Sequence, residues 1–198
     1  MLKPIISQLN RNLCALCAVS LVCGFIGQAI VFVSVALVPT ASAAQPKLLG
    51  TYKAWRVFEN GESVTKTCYA ITKPATTAPR NVRRGEIFMA ITHRPGQGVR
   101  NEVSVRIGYP FSQKSKPFAR IGQEDFQFFT GAQTSSAASA PWAWMVNIAH
   151  HAPMVEAMKR GTTLTFKGTS ARGTLTTDRY SLYGFTAAMA ALDKACPQ

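Results

Sequence analysis

An antiparallel β-sandwich or barrel-like domain with two short helices is the fold class that this sequence predicts. Three observations lead there. From Thr51 onward, strand-length runs alternate apolar with polar residues, the period expected of a sheet with one wet face. Turn signals built on Gly, Pro and Asn separate these runs at intervals too short for the helical crossovers of a parallel sheet. Only two segments, near 153–160 and 186–195, carry a helical period. With 198 residues, 47% of them apolar and 16% charged, the chain can fill one sizeable core and lacks the composition of a disordered protein. No internal repeat suggests a solenoid or propeller.

Gln45–Gly50 reads as a tether. The run from Thr51 then sets Tyr52, Trp55 and Val57 against Lys53, Arg56 and Glu59, giving a first strand. Asn60-Gly61 predicts a tight turn into a second strand, Val64–Thr72, which carries Cys68. Pro74, Pro79 and three arginines mark Lys73–Gly85 as an exposed loop that cannot be a central strand. Glu86–His93 and Glu102–Ile107 are strands joined by Arg94-Pro95-Gly96-Gln97-Gly98, with Glu102, Ser104 and Arg106 on the outward face. Short strands follow at Lys116–Ile121 and Asp125–Thr130, then a small-residue loop, Ser135–Ala140. Pro153–Arg160 predicts a short helix stopped by Gly161. Thr162–Gly168 and Gly173–Leu182 are strand-like, and Thr186 is the expected cap of a closing helix through Ala195.

The N-terminal 43 residues read as an export signal. Lys3 and Arg11 precede the uncharged run Leu13–Val38, and Ala41-Ser42-Ala43-Ala44 places small residues where a signal peptidase needs them. A retained anchor is the rival reading, because so long a run also suffices to cross about 30 Å of hydrocarbon. The mature domain is then 44–198, outside the cytoplasm: periplasmic, outer-membrane-associated or secreted. Cys14, Cys17 and Cys23 fall in the leader, and each follows a large apolar residue (Leu13, Leu16, Val22), which argues against lipid attachment. Cys68 and Cys196 remain, and in an oxidising compartment such a pair is expected to form a disulfide.

The full chain carries 22 Lys and Arg against 9 Asp and Glu, for a net charge of +13. Losing Lys3 and Arg11 with the leader leaves 20 basic residues and +11. Gln45–Arg120 holds 14 of the basic residues and only 4 acids, so nearly all the excess lies in the first half. Arg80, Arg83, Arg84, Arg94 and Arg100 are the candidate anion-binding residues, and lipopolysaccharide, acidic glycans or acidic proteins are the expected partners. A solvated basic surface with no dedicated ligand is the bland alternative. No nucleic-acid motif accompanies the charge. Membrane contact is expected only through an uncleaved leader or surface electrostatics.

Signals for catalysis are missing. His93, His150 and His151 form no HExxH pattern and no Cys/His set at metal-ligand spacing, so no metal or cofactor is expected. There is no GxSxG elbow, Gly96-Gln97-Gly98 lacks the rest of a phosphate loop, and Arg172-Gly173 reads as a turn. Trp55 and one of the other two tryptophans are assigned to the core. Trp142 and Trp144 also share strand parity, so an exposed pair there is a candidate interaction site.

In order along the chain, Trp55, Cys68-Tyr69, RGEIFMAITHRP (Arg84–Pro95), NEVSVRIGYP (Asn101–Pro110), FQFFT (Phe126–Thr130), Ala143-Trp144, Met158–Gly161 and SARGTLTTDRYSLYGF (Ser170–Phe185) resemble the invasion-associated locus B family. The likeness spans Tyr52 to Cys196. It implies an exported, mainly β protein of the Gram-negative envelope with no established catalytic residues, some members being linked to entry into host cells. The further cysteines that many members carry near the N-terminal strands have no match here. The expectation is therefore a non-enzymatic exported protein that binds an anionic envelope or host component. Two alternatives are an envelope enzyme using His93, or Asp178 beside Tyr180, and an inhibitory or chaperone-like module acting through a sheet edge.

Overall fold

The computed structural model describes residues 45–134 and 136–197. The expected leader, 1–43, and its cysteines lie outside these residues. Eleven strands form one antiparallel sheet: β1 (Lys47–Tyr52), β2 (Trp55–Asn60), β3 (Thr67–Thr72), β4 (Thr76–Ala78), β5 (Phe88–Arg94), β6 (Val99–Arg106), β7 (Phe118–Ile121), β8 (Glu124–Thr130), β9 (Trp142–Met145), β10 (Thr163–Thr169) and β11 (Leu175–Ser181). Their order across the sheet is β1-β2-β3-β5-β6-β9-β8-β7-β10-β11-β4. Helices α1 (His151–Arg160) and α2 (Phe185–Ala195) complete the domain. The architecture is the mainly β, sandwich- or barrel-like class that the alternation predicts, with both helices where their period places them.

The sheet curls until distant strands meet. Trp55 Nε1 on β2 donates to the Ser181 carbonyl of β11 at 3.1 Å, and the Trp55 ring packs on Phe185 of α2 at 4.8 Å. One core fills the curl. Val57, Ala70, Met89, Ile91, Val103 and Val105 point inward from the early strands, Phe128, Leu164 and Phe166 from the later ones, and Met154, Met158, Phe185 and Met189 from the helices. Each fully buried side chain of this size contributes about 1.5–3 kcal/mol, which makes the core the main source of stability.

Three strands escape the sequence reading. Gln45–Gly50 is largely strand β1, because the chain reverses at Lys53-Ala54 and pairs Tyr52 with Trp55. The alternation across 51–59 therefore conceals a hairpin whose turn uses Lys53 at φ 55°, with no glycine or asparagine to announce it. Within Lys73–Gly85, Thr76–Ala78 forms the three-residue edge strand β4, compatible with Pro79 immediately after it. Trp142–Met145 is strand β9, four residues between β6 and β8. Cys68 accordingly lies on the third strand rather than the second. Helix α2 begins at Phe185 with Gly184, not Thr186, as its cap residue.

Candidate functional site

A cavity of about 780 Å³ opens between segment 81–84, the turn Gly108–Pro110 and the β10–β11 hairpin. Segment 81–84 is held by the Gly85 amide donating to the Gly108 carbonyl at 2.7 Å and by Arg84 Nε donating to the Ile107 carbonyl at 2.9 Å. The rest of the Arg84 guanidinium forms a bidentate pair with Asp178 of β11, at 2.6 and 2.7 Å, with side chains only 5% and 1% exposed. Arg84 also lies over the ring of Tyr109, 5.0 Å from its centroid.

The remaining floor is neutral and hydroxyl-rich. Tyr109 and Thr176 share a hydroxyl–hydroxyl hydrogen bond, and Thr176 also donates to the Gly168 carbonyl at 3.3 Å. Burial raises the Tyr109 phenol above its ordinary acidity range, opposed by the Thr176 hydrogen bond and the Arg84 charge. Behind it, burial and the Asp178 charge push Tyr180 well up, and its hydroxyl has no partner among the described residues. Arg83 and Arg172 stand exposed at the mouth. Neither has an ion-pair partner among the described residues.

The five arginines expected to act on anions do not act together. Arg83 lines this cavity with its cation free. Arg84 also lines it, but as an anion site it is corrected: its charge is spent on Asp178, so it braces the floor. Arg94 pairs with Glu102 at 2.6 Å, and Arg100 pairs with Asp193 at 2.6 Å and donates to the Cys196 carbonyl at 3.3 Å, so neither is a free cation. Arg80 belongs to a different surface, the outer face of β4, β11 and β10, with Arg179 and Lys167. Arg120 is there too, and Asp125 holds it by two hydrogen bonds of 2.6 and 2.5 Å.

Sequence reasoning missed Arg172, Tyr109 and Thr176. The turn at Arg172-Gly173 was legible, and Gly173 does adopt φ 83°, but the approach of that hairpin tip to Arg83 depends on how the sheet curls. The residues weighed for catalysis are separated by their partners. His93 accepts the Asn101 amide at Nδ1 and meets Asp193 through Nε2 at 3.0 Å, whereas Asp178 is bound to Arg84. His151 is only 7% exposed, and its Nδ1 donates to the Asn101 carbonyl at 3.0 Å.

Cys68 and Cys196 form a disulfide across a separation of 128 residues. Trp142 and Trp144 both lie half-buried on the outer face of β9, so neither joins Trp55 in the core. Their rings stack with centroids 6.1 Å apart and planes 15° apart.

Comparison with known proteins agrees with the fold. The crystal structure of invasion associated protein B from Bartonella henselae superposes with a TM-score of 0.51 at 14% identity, over 76% of this chain and 97% of that one. A search of curated proteins gives no match. The family model described as invasion associated locus B (IalB) protein matches residues 55–193, a span that takes in the cavity, strand β3 with Cys68, helix α1 and all but the last two residues of α2, and the chain therefore belongs to the invasion associated locus B family.

Proposed function

We propose that this protein is exported and serves, without catalysing a reaction, to bind an anionic component of the bacterial envelope or of a host surface through the cavity rimmed by Arg83 and Arg172. The observation that carries this reading is the pair of guanidiniums, without ion-pair partners among the described residues, at the mouth of a cavity lined by no carboxylate, the nearby Asp178 being buried beneath it and paired with Arg84. A phosphate or carboxylate entering there meets two charge-assisted donors and a floor of hydroxyls. Nothing in the floor repels it. Membership of an envelope-associated family supports the compartment, as do the disulfide and the leader-like N-terminus.

The test is retention of the Arg83→Ala/Arg172→Ala double variant on immobilised lipopolysaccharide and on heparin across a salt series, beside Arg80→Ala. The double variant is expected to bind about tenfold more weakly at low salt, the parent's advantage shrinking as salt screens it. Equal retention of double variant and parent removes the cavity from the function. Intact mass of the exported protein tests the compartment, the expected product being 44–198 with its two cysteines oxidised.

A further inference from the structure

The outer face of β4, β11, β10 and β7 carries a concavity of about 690 Å³. Register sets its side chains in rows. Thr76, Arg179, Thr165 and Arg120 lie opposite one another across the four strands, with Thr177 and Lys167 in the row beside them. At the centre, β10 and β11 form a square in which each cation faces a threonine: Arg179 lies opposite Thr165, and Lys167 opposite Thr177.

Opposite charges on facing strands stabilise a sheet, and like charges repel. Here the cross-strand neighbours of both cations are hydroxyls, so the positive charge accumulates. Arg80, Lys167 and Arg179 have no ion-pair partner among the described residues. Arg120 is held by Asp125, on which Lys167 acts only as the weakest of several influences. No acid lines the concavity among the described residues.

The layout selects the counter-charge. Arg179 and Lys167 sit on a diagonal, about 7–8 Å apart at the backbone, so their long side chains can meet on one oxyanion above Thr165 and Thr177. A sulfate ester has three free oxygens, enough to accept from a guanidinium, an ammonium and a hydroxyl together, whereas a carboxylate has two. Arg80 follows β4, on the far side of β11 from Lys167, and is left for a second anionic group. From β4 to β7 the face spans three inter-strand spacings, about 14 Å, which suits a chain with repeated charges better than a single headgroup. Threonine hydroxyls accept as well as donate, which matches a chain that carries hydroxyls between its anions. Nucleic acid finds no platform for its bases, because the one aromatic residue lining the face, Phe118, has the Arg120 guanidinium over its ring at 5.6 Å.

We infer that this face binds a sulfated glycan chain, laid across β4, β11 and β10 with one sulfate between Arg179 and Lys167 and another at Arg80. The site is separate from the cavity at Arg83 and Arg172 and does not depend on that reading.

The probe is a heparin octasaccharide, titrated by calorimetry into the Arg83→Ala/Arg172→Ala protein so that the cavity contributes nothing. Saturable binding is expected. Adding Lys167→Gln/Arg179→Gln to that background is expected to weaken binding about tenfold or more. The slope of log affinity against log salt should then fall by about two, roughly one for each cation removed. Thr165→Val/Thr177→Val keeps every charge and is expected to weaken binding about fivefold with the slope unchanged, the scale of one lost hydrogen bond. The desulfated octasaccharide is expected not to bind. Circular dichroism and urea midpoints confirm that each variant is folded. Absence of octasaccharide binding in the arginine background overturns the inference, as does full affinity in folded Lys167→Gln/Arg179→Gln. Full affinity in Thr165→Val/Thr177→Val overturns it too, by making the attraction diffuse, and so does equal binding of a single-stranded oligonucleotide of the same charge.

Discussion

Arg84 and Asp178 stand 94 positions apart and meet through two parallel N–H···O bonds, sealed from solvent beneath the cavity floor. The same guanidinium holds the Ile107 carbonyl through Nε. One side chain therefore ties the segment after β4 to both β6 and β11, and it positions its exposed neighbour Arg83 while being unable to bind an anion itself.

Removing one partner of this pair is expected to destabilise the domain strongly. Asp178→Ala leaves an uncompensated guanidinium in a nearly dry site, which typically costs about 3–5 kcal/mol. The double variant Arg84→Met/Asp178→Leu buries no lone charge and is expected to recover a large part of that loss. Urea unfolding of Arg84→Met, Asp178→Leu and the double variant measures the coupling. Costs that simply add would show that the two groups stabilise the fold independently.

His151 gives the domain a pH dependence of known sign. Burial is the larger influence and lowers its pKa below the ordinary 6.5, against the Asn101 carbonyl and the Glu102 charge, which raise it. In the unfolded chain the imidazole takes up a proton near 6.5, while in the folded domain it resists until lower pH. Its contribution is thus fully present above about 6.5 and drains away as pH falls through the folded value. The urea midpoint of the parent is expected to drop between about pH 7.5 and pH 5, and to drop less in His151→Gln. An equal drop in both would place the dependence on other groups.

The disulfide anchors the end of α2 to β3, since Cys196 is the cap residue of the helix and Cys68 faces the core from the strand. On the chain-entropy view, closing a loop of this length stabilises by about 5 kcal/mol, an upper figure. Cys68→Ala/Cys196→Ala is expected to lose a few kcal/mol. Amide exchange should rise first in α2, because the helix also loses the attachment that holds its last turn. Uniform exchange over the whole domain would mean that the bridge acts on the unfolded chain alone.

How much of this could be read in the chain depends on whether the signal is local. The two-residue period of Val103, Val105 and Ile107 and the helical stripe of Met189 and Leu192 are set by near neighbours, and both elements lie where they were expected. Strand β4 has no such period: Thr76–Ala78 becomes strand only because β11 offers it an edge. The candidate sites behave alike. A run of arginines is visible in sequence, but whether each is free or spent depends on acids up to about a hundred positions away, such as Asp178 for Arg84 and Asp193 for Arg100. The basic face of β10 and β11 is intermediate. The parity that sets Thr165 with Lys167, and Thr177 with Arg179, is local, whereas the square they form exists only because the two strands pair in that register.

Two glycines separate backbone strain from steric contact. Gly184 caps α2 at φ 86°, and a β-carbon there would press on the Tyr52 carbonyl at the turn between β1 and β2. Gly98 has a similar φ of 64° after β5, but nothing lies within 4 Å of the place a β-carbon would occupy. Gly98→Ala should therefore cost only the left-handed conformation, about 1 kcal/mol. Gly184→Ala adds a clash with backbone that cannot rotate aside, and its total is expected at about 3 kcal/mol or more. Because the clash pushes α2 away from the β1–β2 hairpin, the loss should also appear as reduced protection of amides in β1, the edge strand. Equal costs at the two positions would mean that the hairpin yields freely and that Tyr52 and Gly184 are not held against each other.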